Sequence, residues 1–263
     1  MKGFLKNIPK KSNNLGLFWE KYSYIKYHEN FLKSNDEKKK GDLAYKLLAD
    51  MKIDENVLKL LKKRREQVVK NSNVLFDDVV ELKSRLLVGS GNPAPTEVGM
   101  TFSRNYGVPV IPASAIKGCF SHYLKEILEE DGEKLIDKET FRYLFGEDLN
   151  KNSEENIRGS LIFLDAIPIT LEFGLDIVNN HFQPYYMQKE HPPNDWYNPV
   201  PVTFLVVEKG KFRFTILIDE ERNEGLNNET KEKLRNAFRD MLETYGIGAK
   251  TNYGYGRFKK NSQ

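Results

Sequence analysis

The chain has 263 residues, 39% of them hydrophobic, which is enough for a buried core of one large or two small domains and excludes a disordered chain. With 41 Lys plus Arg against 38 Asp plus Glu the net charge is +3, which excludes nucleic-acid binding by bulk attraction and requires any anion site to come from local clustering. The single cysteine, Cys119, excludes an internal disulfide and a cysteine-based zinc site and fits a reducing compartment, so the cytoplasm is the expected location.

No apolar run is long enough to span a bilayer. The basic start MKGFLKNIPKKSNN lacks the apolar stretch and cleavage site of a secretory signal. Residues 1–40 are polar and lysine-rich, with Phe18, Trp19, Tyr22, Tyr24 and Tyr27 scattered among them, and predict an irregular or short-helical arm anchored by those rings. From Gly41 the pattern is helical: Leu43, Leu47 and Leu48 in one piece, then Asp54 as N-cap before Val57, Leu58, Leu61 and Val68. Lys62, Lys63, Arg64 and Arg65 crowd one turn and read first as a solvated face, second as an RNA contact.

NVLFDDVVELKSRLLVG alternates Val80, Leu82, Ser84 and Leu86 against Val79, Glu81, Lys83 and Arg85, which predicts the first core strand. The following GSGNPAPTEVGMTFSRNYGVPVIPAS is too long for a simple connection, and long loops in compact domains are usually functional or disordered. It ends at Ser114, the expected N-cap of a helix with a stripe of Ile116, Cys119, Phe120, Tyr123, Leu124, Ile127 and Leu128. A short helix at residues 141–145 stops at Gly146, an acidic loop runs to Asn156, and GSLIFLDAIPITLEF resumes strand character. Residues 179–199 mix prolines and aromatics without a period and read as a protruding insertion. VPVTFLVVEKGKFRFTILID predicts a hairpin turning at Lys209 and Gly210. In the last helix Leu234, Ala237, Phe238, Met241, Leu242 and Tyr245 share one face, and Gly246 stands where a left-handed C-cap is wanted.

The stretch GIGAKTNYGYGRF, residues 246–258, therefore begins at a helix end. Dinucleotide folds and P-loops place their glycines after a strand and before a helix, and here Ala249 precedes Lys250 and Thr251 where a P-loop needs glycine. A nucleotide cofactor is disfavoured, and none is expected. Two readings stay open. Bare backbone approaches a polyanion while Lys250 and Arg257 pair with phosphates and Tyr253 and Tyr255 stack bases; or the loop is a turn that packs the last strand beside the helix, with Tyr255 in the core.

The order strand, helix, strand, strand, helix, glycine-rich loop, terminal strand is an α+β, ferredoxin-like (RRM-like) plan. G-I-G-x5-G-Y-G resembles the glycine-rich loop of the RAMP superfamily of CRISPR-associated proteins, and GNPAPTEVGMTFSRNYGVPVIPASAIKG, LDIVNNHFQPYY and DWYNPVPVTFLVV resemble its Cmr branch, found in type III-B effectors. The matches lie between residue 75 and the C-terminal end. The one departure is Ala113 before Ser114, where the family usually has Gly-Ser.

The resemblance implies residues 1–74 as an N-terminal helical extension packed on a RAMP domain of residues 75–263, with a thumb-like insertion near 179–199. It implies a non-catalytic backbone subunit, not an enzyme, bound to guide RNA near its 3′ side and to target RNA. Other Cmr RAMP subunits and the small helical subunit are the implied neighbours. The expected RNA contacts are Arg104, Ser114 and Lys117 before the second half of the domain, and Gly246, Gly248, Lys250, Thr251, Tyr253, Gly254, Gly256 and Arg257 in the loop. Lys117 is expected in the first helical turn, where amide groups and the dipole favour phosphate. Tyr185, Tyr186 and Trp196 fit either a thumb or a small cap on the core. The rival class is a metal- or histidine-dependent ribonuclease using Glu97 or one of His28, His122, His181 and His191, of which His122 reads as structural. No histidine pair has metal-ligand spacing, and no metal is expected.

Overall fold

The computed structural model describes residues 14–27, 37–130, 136–146, 158–187, 191–222 and 226–259. His28 and the acidic loop ending at Asn156 lie outside the described residues. The chain is mixed α+β with a small antiparallel sheet, and it divides into two units.

The first unit comprises Met1–Asp54, Leu87–Pro109 and Glu172–Glu208. Its arm is helical from Leu15 to Lys26, with one π-helical turn at Phe18–Tyr22 that buries Phe18 and Trp19 as the scattered rings predicted. Asn14 caps the arm by accepting from the Leu17 amide at 2.9 Å, and its side-chain amide donates to the Arg104 carbonyl at 3.0 Å. Gly107, with φ of +63°, packs against this cap, and a Cβ there would stand 2.3 Å from Asn14 Oδ1. The helix α1 (Glu37–Asp50) buries Leu43, Ala44 and Leu47. Its terminal Asp50 accepts from Lys26 Nζ at 2.5 Å and the Tyr27 hydroxyl at 2.6 Å.

The second unit comprises Glu55–Leu86, Val110–Leu171 and Lys209–Gln263. It contains α2 (Glu55–Lys70), β1 (Asn73–Glu81), α3 (Ala113–Glu130) and α4 (Lys138–Phe145), the last capped by Asp137 and stopped at Gly146. The long strands β2 (Leu161–Asn180) and β3 (Val200–Ile218) supply residues to both units, with α5 (Gln183–Met187) in the first. Helix α6 (Asn228–Thr244) returns to the second.

The strand order is β1-β3-β2, with β1 antiparallel to β3 from Asn73 opposite Ile218 to Glu81 opposite Lys211. Alternate residues of a strand point to opposite faces, so Phe76, Phe212 and Phe214 line one face. Phe76, Phe120 and Phe214 each set a ring edge against Phe238 of α6 at 4.8, 5.1 and 5.9 Å. These edge contacts among buried rings add to area burial and hold α3 and α6 against the sheet.

Two expected elements differ. The hairpin at Lys209 and Gly210 is not formed, because β3 runs straight through both residues. Gly210 is there for close approach: a Cβ would meet the Thr170 carbonyl oxygen at 2.6 Å, and the Gly210 carbonyl accepts from Leu82 N at 2.8 Å. The terminal strand is reduced to a single antiparallel bridge between Phe258 and Leu82, flanked by Lys83 N donating to Arg257 O and Lys259 N donating to Glu81 O, both at 2.8 Å. The turn occupies the chain up to Gly256, which leaves too little of the described sequence for a longer ladder.

Candidate nucleic-acid interface

Helix α6 ends as its pattern demands. Tyr245 N and Gly246 N both donate to the Met241 carbonyl at 3.0 Å, and Gly246 turns into the left-handed region at φ +72°. The chain then makes a closed excursion: Ile247 N donates to Gly256 O at 2.9 Å, and Gly256 N donates to Arg85 O at 2.8 Å. Gly246 and Gly256 lie back to back, with a Cβ on the second meeting Ile247 O at 2.0 Å. Gly248 and Gly254 also have positive φ. Gly246 and Gly256 thus serve the closure of the turn, whereas a Cβ on Gly254 would meet nothing within 4 Å.

The tip is different. Lys250, a non-glycine residue at φ +60°, starts a 3-10 turn over Thr251–Tyr253 in which Asn252 and Tyr253 are exposed and Thr251 is half-buried. Tyr253 is 83% exposed and Lys250 Nζ lies 5.7 Å from its ring centre. A solvated aromatic face beside an ammonium is the pairing that single-stranded nucleic acid uses, stacking for the base and charge for the phosphate. Tyr255 is half-buried, so it is not the core residue of the packing reading. Arg257 anchors the base, its amide donating to Ser84 Oγ at 3.0 Å, and its Nε is buried without a hydrogen-bond partner.

Helix α3 meets this loop through Cys119, whose thiol donates to Gly246 O at 3.4 Å and whose pKa burial pushes up to about 11. The start of α3 departs from expectation. Ser114 is not the N-cap but the exposed second residue of the helix. The Ala113 amide instead donates to Asp165 Oδ1 at 2.8 Å, and Pro112 O accepts from Ala115 and Ile116. A carboxylate from β2 therefore already answers the helix dipole. Lys117, fifth in the helix and half-buried, stands past the first turn, so only its charge remains as a phosphate partner.

Arg104 and Glu97 belong to the first unit, both exposed, Glu97 with φ +68°. His122 is exposed rather than packed: its Nε2 lies 3.2 Å from Glu126 Oε1, and the other Glu126 oxygen accepts from the Tyr245 hydroxyl. Among the described residues no three His, Cys, Asp or Glu side chains converge to hold a metal, and no helix is long and apolar enough to cross a membrane.

The sequence reading missed Asp165 as a cap and the pairing of Arg213 with Asp77, at 2.8 and 2.6 Å. The signal for Asp165 was present in LDAIP, an acidic residue breaking an apolar strand.

The chain is an α+β module whose last helix ends in a pinched glycine-rich loop, and residues 79–259 match the model of the RAMP superfamily. The chain belongs to the RAMP superfamily and, within it, to the Cmr6 family. The CRISPR system Cmr subunit Cmr6 of Pyrococcus furiosus is 30% identical, over 90% of this chain and 84% of that protein. The Cmr6 of Saccharolobus solfataricus is 26% identical, over 97% and 84%. A chain in the cryo-EM structure of the type III-B Cmr-beta bound to cognate target RNA shares the fold, with a TM-score of 0.59 at 23% identity over 98% of this chain and 85% of that one.

Proposed function

We propose that this chain is a non-catalytic backbone subunit of a type III-B Cmr effector, holding guide RNA, or its duplex with target RNA, near the guide's 3′ side. The observation that carries the reading is the tip of the glycine-rich loop, where the solvated Tyr253 ring stands beside the half-buried Lys250 on a backbone pinched at Gly246 and Gly256. Such contacts grip phosphate and any base alike, which suits a protein that must carry guides of many sequences. Lys117, Arg257 and Arg104 supply further charge, with Ser114, Thr251, Gly248 and Gly254 offering hydroxyls and open backbone. The Cmr6 relatives support membership of such an assembly, with other RAMP subunits and the small helical subunit as neighbours in the cytoplasm.

In this reading the order β1, α3, β2, β3, α6 with Phe258 bridged beside Leu82 is a ferredoxin-like plan closed by a vestigial fourth strand. The RAMP domain of residues 75–263 carries the exposed Tyr185, Tyr186 and Trp196 on a thumb near residues 179–199 that touches duplex or a neighbouring subunit. The test is a pull-down of the tagged chain from its native extract, with sequencing of the bound RNA and identification of co-purifying proteins. Short CRISPR-derived RNAs together with several RAMP subunits are expected; a lone protein without RNA would overturn the reading.

A further inference from the structure

Positive charge gathers at a second place besides the glycine-rich loop. Helix α2 carries Lys59, Lys62, Lys63, Arg64, Arg65 and Lys70 against Glu55 and Glu66. Six basic against two acidic residues leave +4 on sixteen residues, and since the whole chain carries +3 the other 247 residues together carry −1.

One of the six is turned inward and fixes the helix. Arg65 donates through Nη1 to Thr215 Oγ1 at 2.9 Å and through Nη2 to the Asp165 carbonyl at 2.8 Å. Beside it, Thr215 Oγ1 donates to Asp77 Oδ1 at 2.9 Å, and Asp77 takes both arms of Arg213. Arg213 and Thr215 flank Phe214 in β3, so they occupy the sheet face opposite the aromatic core. That is the face an RRM-like sheet offers to bases. Here it is closed by a salt-bridged network under α2, and Thr215 is 1% exposed.

The other basic residues point away from the sheet. Lys59, Lys62, Lys63, Arg64 and Lys70 are all exposed, Lys59 with 75% of its side chain. Lys62, Lys63 and Lys70 form no ion pair among the described residues, and the 3.9 Å pair of Lys59 with Glu55 is a solvent-screened one. Lys59, Lys63 and Lys70 at i, i+4 and i+11 make one stripe, with Lys62 beside it. At a rise of about 1.5 Å per residue the stripe is about 16 Å long, which follows a strand of phosphates rather than one anion. Lysine on a flexible stem is a point charge suited to phosphate and carries no base preference.

We propose that the outward face of α2 is a second RNA-backbone contact, separate from the glycine-rich loop, that replaces the blocked sheet face of this module. This rests on the reading that the chain holds RNA. The test uses the full chain and a fluorescein-labelled single-stranded RNA of mixed sequence, with anisotropy followed over a range of salt. Changing Lys59, Lys62 and Lys63 together to Gln is expected to lower the slope of log affinity against log salt by about two, at roughly 0.7 per phosphate lost. Changing the same three to Arg is expected to keep the wild-type slope. Unfolding midpoints that match the wild type are expected, since all three side chains lie in solvent.

An unchanged slope in the Gln variant, while Lys250→Ala lowers it, would overturn the α2 contact and leave the loop standing. An unchanged slope with loss of co-purifying subunits would assign this face, with exposed Leu60 and Val68, to an acidic protein neighbour instead. A wild-type chain with no salt-dependent RNA binding would overturn the functional reading and this one with it.

Discussion

A single carboxylate decides how α3 begins. Asp165 Oδ1 accepts the Ala113 amide, whereas Ser114, the residue with cap chemistry, lies inside the helix. Losing a cap costs about 1 kcal/mol, so Asp165→Ala is expected to lower unfolding free energy by about that amount while Ser114→Ala stays near wild type; denaturant melts of both check it. Asp165→Asn keeps an acceptor oxygen and is expected to fall between them. Cys119 makes a second residue-scale case. Its thiol, pushed up to about 11 by burial against Gly246, holds about one part in a thousand thiolate at pH 8. Alkylation of the native chain at pH 8 is therefore expected to be slow and to become fast once the chain is unfolded by denaturant, as mass spectrometry of the labelled protein would show.

At the scale of elements, the glycine-rich loop separates two functions that its sequence runs together. Gly256 and Gly246 are needed for closure, and Gly256→Ala, facing Ile247 O at 2.0 Å with φ +68°, is expected to cost more than about 1 kcal/mol in stability. Tyr253→Ala removes an exposed ring and is expected to leave stability unchanged while weakening RNA binding by about 1–3 kcal/mol for one lost stack. Unfolding curves and anisotropy on both variants separate the base of the loop from its tip. The amphipathic stripes of α3 and α6, the stop at Gly146 and the C-cap at Gly246 were legible because each is written within one or two turns of chain. What was not legible depends on partners far along it. Asp165 caps a residue 52 positions away, Lys209 and Gly210 read as a turn only until β2 lies alongside, and Arg65 looked like one more solvated charge until Thr215 met it. The spacing of the loop pointed to its family, but the outward Tyr253 is set by backbone angles that spacing alone does not specify.

For the molecule as a whole, a net charge of +3 with basic residues gathered on α2 and in the glycine-rich loop would make the proposed RNA binding a sum of local contacts, each of them screened by salt. If Lys59, Lys62 and Lys63 of α2 act with Lys250 and Arg257 of the loop, about five phosphates are engaged, and the affinity slope for single strands is about 3.5. Raising salt fourfold is then expected to weaken the isolated chain roughly a hundredfold, and the double change Lys117→Ala, Lys250→Ala to lower the slope by about 0.7 if Lys250 alone is in contact and by about 1.4 if Lys117 is a sixth contact. If neighbours share one guide as proposed, they bring the strand to each other's weak contacts, and binding within an assembly is expected to exceed that of the lone chain. A nanomolar affinity of the monomer at physiological salt that barely responds to added salt would contradict this, since it would demand recognition of bases rather than phosphates. The role also carries a chemical expectation: labelled guide and target RNA incubated with the chain, with and without Mg²⁺, are expected to stay intact. Cleavage that Glu97→Ala or a histidine change abolished would make the chain a ribonuclease, and the exposed charges would then be substrate-positioning contacts rather than the purpose of the fold.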